Sequence, residues 1–110
     1  MLTEKDYCDY DTCVALKELG YPIDWFEDET YHENSTNIQL YEAQKWLREE
    51  RQMILLPAYL NGANVWICEI CYKRERLGFG GYNQTYEEAL SEGIKEAVKI
   101  LKENGKDYQV

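Results

Sequence analysis

Four cysteines carry the residue chemistry that spacing alone can suggest. Cys68 and Cys71, in "WICEICYK", form a C-x-x-C, a spacing that serves zinc sites and redox disulfides, while Cys8 and Cys13, in "CDYDTC", form a C-x4-C. A cysteine nucleophile needs a base, and the chain offers one histidine, His32. The carboxylates of "FEDE", Phe26 to Glu29, could in principle hold a divalent cation, but they lack the D-x-D-x-D-G rhythm of a calcium loop. Each of these has a plainer explanation: buried cysteines pack as small apolar side chains, and a run of acids is a solvated surface.

The elements that position these residues decide between the two explanations. "QMILLPAYL" and "NVWICEICYK" flank Asn61-Gly62, a hairpin signal, and both are rich in β-branched or aromatic residues. In a strand, residues three apart point to opposite faces with Cα atoms about 10 Å apart. A disulfide needs Cα atoms within about 7 Å. Cys68 and Cys71 therefore cannot act together if the strand exists, and no zinc or other cofactor is expected. Cys8 and Cys13 straddle the start of a helix and have no second pair to complete four ligands, so they too read as structural.

A loop of two or four residues keeps the same hairpin parity. One face then carries Met53, Leu55, Pro57 and Tyr59 with Trp66, Cys68, Ile70 and Tyr72; its weight assigns it to the core. The other carries Ile54, Leu56, Ala58 and Leu60 with Val65, Ile67, Glu69, Cys71 and Lys73, and stays at least partly wet. "RLGFGG" supplies a short third strand with Leu77 and Phe79 facing one way. Its glycines lack the Lys-Ser/Thr of a phosphate loop.

Helices bracket the strands. Thr12 reads as the N-cap of a first helix that Gly20 and Pro22 stop. Thr36 and Gln39 have capping-box spacing ahead of a second, and Thr85 with Glu88 opens a third that Gly105 ends. Leu90, Ile94, Ala97, Val98 and Leu101 give this last helix a continuous apolar side, and Gly93 marks a close approach of neighbouring backbone. The expected fold is α+β: a three-stranded antiparallel sheet with helices packed on one face, order α-α-β-β-β-α.

One domain of 110 residues is expected, with 1–36 an acidic N-terminal helix and loop and 37–105 an α-β-β-β-α core. Formal charge is -9 and uneven. Residues 1–36 hold ten acids against Lys5 and Lys17, a net of -8, whereas 37–76 net +1. No long apolar stretch suits a membrane, and the charged opening "MLTEKDYCDYD" does not suit a signal peptide, which points to the cytoplasm.

"TCVALKELGY", "LYEAQKWLREE" and "TYEEALSEGIKEAVKIL" together resemble small uncharacterised proteins of gut-anaerobe genomes and their phages. The resemblance implies a small accessory protein, phage-borne, with no catalytic residue to carry over. The order helix, three strands, helix is also similar to the double-stranded RNA-binding domain. Here the last helix opens with Tyr86, Glu87, Glu88 and Glu92, where that domain presents lysines.

The functional expectation is a non-enzymatic protein that works by protein–protein interaction as a monomer or homodimer. Its partner would present a basic surface, and direct nucleic-acid binding is not expected. The candidate contacts are Trp25, Phe26, Asp28, Glu29 and Tyr31, aromatic anchors in a negative field. A second candidate is a basic corner of Arg48, Arg51, Lys73, Arg74 and Arg76, which the hairpin gathers at one end of the sheet; it would take a phosphate-rich ligand, as in a nucleic-acid-binding regulator, or receive the acidic first third.

Overall fold

The computed structural model describes residues 6–22, 38–79 and 81–107. Helix α1, Tyr10–Glu18, starts earlier than a Thr12 cap would have it. Asp9 is the N-cap: its Oδ1 accepts the Thr12 N–H at 2.8 Å, and Thr12 is drawn into the first turn. Tertiary anchoring fixes that choice, because the Cys8 N–H donates to the Ile38 carbonyl at 2.8 Å and Tyr7 bridges Gln39. Helix α2, Leu40–Arg51, is capped by Gln39, whose N–H donates to Glu42 Oε1 at 3.2 Å; Thr36 lies outside the described residues.

Three strands follow: β1 (Met53–Leu60), β2 (Val65–Tyr72) and β3 (Glu75–Phe79), antiparallel in the order β1-β2-β3. The first hairpin closes through 61–64 with Leu60 opposite Val65, so the loop has four residues and its left-handed position is Asn64 rather than Gly62. The tight turn falls instead on Lys73 and Arg74, both at positive φ (51° and 73°). Helix α3, Tyr86–Asp107, opens with the Glu88 N–H donating to Thr85 Oγ1 at 3.1 Å. It runs past Gly105, since a glycine costs a helix only about 1 kcal/mol and no proline follows.

The expected α+β layering is what the chain adopts, with α2 and α3 on one face of the sheet and α1 against α3. Register pairs Met53 with Tyr72, Leu55 with Ile70, Pro57 with Cys68 and Tyr59 with Trp66, so the heavy face is the helix-covered one. Met53, Leu55, Cys68 and Ile70 are buried there against Leu47, Leu90, Ile94, Ala97, Val98 and Leu101. Gly93 is a point of close approach, but the neighbour is a side chain: a Cβ at Gly93 would collide with Cys68 Sγ.

On the opposite face Ile54 and Leu56 are exposed, and Ile67, only 6% exposed, is the exception to the expected wetness; Leu77 is exposed at a register shift in β3. At the outer edge of β1, Gln44 Nε2 of α2 donates to the Leu55 carbonyl at 2.9 Å. Backbone groups alternate in direction along a strand, so Pro57, two residues on, turns its nitrogen to the same outer side, where no ladder bond is lost.

Candidate functional site

Helix α1 ends in a Schellman motif. The Tyr21 N–H donates to the Leu16 carbonyl at 3.0 Å and the Gly20 N–H to Lys17 at 2.9 Å, with Gly20 at φ 110°, a conformation glycine takes without strain. The motif turns the chain so that Tyr21 meets α2. There its ring stands edge-on to Trp46, 5.5 Å between centroids and 63° between planes. Arg51, in the last turn of α2, donates from Nη1 to the Leu19 carbonyl at 2.9 Å and so ties the two helix ends together.

Where the end of α1 meets the flank of α2 lies a groove of about 420 Å³, lined by Tyr21, Pro22, Tyr41, Glu42, Lys45, Trp46, Glu49 and Glu50. Three aromatic rings form its apolar part, and three carboxylates face one ammonium. Tyr41 is 59% exposed, one helical turn before Lys45. Burial first, and then the charge of Glu42, raise the Tyr21 phenol pKa, so the ring stays neutral in a negative field. Aromatic faces beside carboxylates suit a cation: the ring quadrupole and the negative charge act in the same direction. Among the described residues that line the groove there is no thiol or imidazole.

The expected contacts Trp25, Phe26, Asp28, Glu29 and Tyr31, like His32, lie outside the described residues. The five basic residues share one end of the sheet, where the Lys73 N–H donates to the Gln52 carbonyl, yet their side chains divide. Arg51 turns to α1, and Arg48 sits 3.8 Å from Glu49. Lys73 lies 5.2 Å from the Tyr72 ring centroid; Arg76 pairs with Glu69 at 2.7 Å on the helix-free face; Arg74 is exposed in the turn. Cys68 and Cys71 pair with Pro57 and Ile54, on opposite faces, and burial pushes the Cys68 thiol up to about 12. Among the described residues no cluster of three or more His, Cys, Asp or Glu side chains is arranged to hold a metal ion.

A second groove, about 460 Å³, runs between α1 and α3 past Lys95, Lys99 and Lys102. Two of its lysines are already paired, Lys95 with Asp9 at 3.0 Å and Lys102 with Glu18 at 2.7 Å. This lowers its appeal as an anion site. No protein-family model, curated protein or solved structure matches the chain. No helix of the described residues is long and apolar enough to cross a membrane.

Sequence reasoning passed over Tyr21 and Tyr41. The signal for Tyr21 was present, since a residue following a C-terminal helix glycine is placed by the Schellman bonds. An exposed tyrosine on the polar side of α2 was the signal for Tyr41.

Proposed function

We propose that the protein acts without catalysis, as a small phage-borne accessory protein of the cytoplasm that binds a cationic surface on another protein. The groove of Tyr21, Tyr41 and Trp46 rimmed by Glu42, Glu49 and Glu50 supports this above all else. It sets aromatic anchors in a concavity with charge around them, as protein interfaces set aromatic centres within a polar rim. The formal charge of -9 adds long-range attraction for such a partner and repels phosphate.

The test uses a defined probe, an oligo-arginine peptide, with an oligo-glutamate peptide as control, followed by tryptophan fluorescence and calorimetry. Wild-type protein is expected to bind the cationic peptide at low salt, with affinity falling as salt rises. Tyr41→Ala with Glu49→Gln and Glu50→Gln should weaken binding by roughly tenfold or more while leaving the melting temperature nearly unchanged, because exposed side chains are removed. Equal binding by variant and wild type would remove the groove from the function. Retention on duplex DNA that Arg74→Glu abolishes would favour a nucleic-acid regulator instead.

A further inference from the structure

Cys8 and Cys13 occupy the positions just before the N-cap and four residues into α1, where helices commonly place two packed apolar side chains as a hydrophobic staple. Here both members of the staple are thiols. Both are buried, and the Cys13 S–H donates to the Cys8 carbonyl at 3.7 Å. Cys8 is pinned by its N–H to the Ile38 carbonyl, and Cys13 by its N–H to Asp9 at 3.0 Å. Of the chain's four cysteines this is the pair that the fold brings together, since Cys68 and Cys71 face opposite ways.

The geometry points to Cys8 and Cys13 as a site of reversible intramolecular disulfide formation, with a small-molecule disulfide of the glutathione type as oxidant. One protein thiolate attacks the oxidant's sulfur, forming a mixed disulfide and releasing one small thiol. The second protein thiolate then attacks the cysteine sulfur of that mixed bond, closing the Cys8–Cys13 bond and expelling the second small thiol. The protein gives up two protons and two electrons, and the oxidant becomes two thiols. The bond ties the staple covalently and locks the first turn of α1 to the strand-like segment at Tyr7 and Cys8. None of this rests on the groove.

The closed protein reacts slowly. Its hydrogen bond to Cys13, and then burial, hold the Cys8 thiol strongly protonated, whereas the thiolate is the nucleophile. Oxidation therefore proceeds through opening of the first turn of α1, and its rate should rise in urea too dilute to unfold the protein. Cys71, partly exposed, is the competing thiol, and Cys71→Ser removes it.

The full chain carrying Cys71→Ser is incubated with oxidised glutathione in large excess, quenched in acid, and examined by intact mass and peptide mapping. The expected product is lighter by two hydrogens, contains one cross-linked peptide joining Cys8 to Cys13, forms independently of protein concentration, and reverts on adding reduced glutathione. The cross-link should outweigh mixed adducts by roughly tenfold or more, because the second thiol acts at high effective concentration. Adding Cys8→Ser should abolish the cross-link. Glutathione adducts standing on Cys8 or Cys13 in place of the bond, or both thiols surviving in dilute urea, would overturn the assignment.

Discussion

Asp9 serves two partners with one carboxylate. Oδ1 takes the Thr12 N–H, and Oδ2 stands 3.0 Å from Lys95 Nζ on α3, so a single side chain both caps α1 and fastens it to its neighbour. Partial burial disfavours its charge, but the hydrogen bonds from Thr12, side chain and backbone, together with Lys95 outweigh this and hold the carboxyl below its ordinary value of 3.8. Because the folded value is the lower one, the stabilisation is complete above the ordinary value and drains away as pH falls through the folded one. Asp9→Ala should cost about 1 kcal/mol in urea denaturation at neutral pH, and Asp9→Asn, which still caps, much less. The Asp9→Ala difference should narrow below pH 3.8; an unchanged difference in acid would mean that ionisation contributes nothing. Thr12 and Asp9 are both cap-forming types, and N-cap preference already places Asp above Thr. The contact of Cys8 with Ile38, from a segment some thirty residues away, sets the entry angle that favours Asp9.

At the scale of elements, the helix stripe and the strand parity were legible because each follows a fixed period. Leu90, Ile94 and Leu101 meet Met53, Leu55 and Ile70 as the alternation required. The groove was not legible, since it joins the end of one helix to the flank of another through a turn whose bonds no period announces. The joint of α3 to β2 rests on Gly93 over Cys68. Gly93→Ala gains helix propensity of about 1 kcal/mol, yet overpacking against Cys68 should cost about 1 to 3 kcal/mol and leave a net loss. In a Cys68→Ala background the cost should shrink, because the sulfur is gone while the Cβ at 3.0 Å remains. A double-mutant cycle measures this coupling, and additive effects would show that Gly93 and Cys68 do not press on each other.

Across the whole molecule, charge was legible as a total, whereas the ion pairs among the described residues were not. The acids of α1 meet lysines of α3 (Asp9 with Lys95, Glu18 with Lys102), while Arg51 of the basic corner reaches α1 at a carbonyl. A corner inferred from hairpin pairing could not foresee that α3 would lie beside α1, because that packing lies outside the plane of the sheet.

The outer side of β1 has a further consequence at this scale. Where another strand would dock, Pro57 offers no N–H and Gln44 already occupies the Leu55 carbonyl, so the sheet resists lateral growth on that flank despite the apolar "MILLPAYL". Replacing Pro57 by Val and Gln44 by Ala restores the missing donor and frees the acceptor. That double variant should assemble on concentration, seen as rising light scattering and thioflavin signal at protein levels where the wild type stays clear. Identical scattering would mean that the flank is guarded by something else. As built, β1 gives a crowded solution of this protein less to template on: the middle of its apolar strand is interrupted by one missing hydrogen and one borrowed amide.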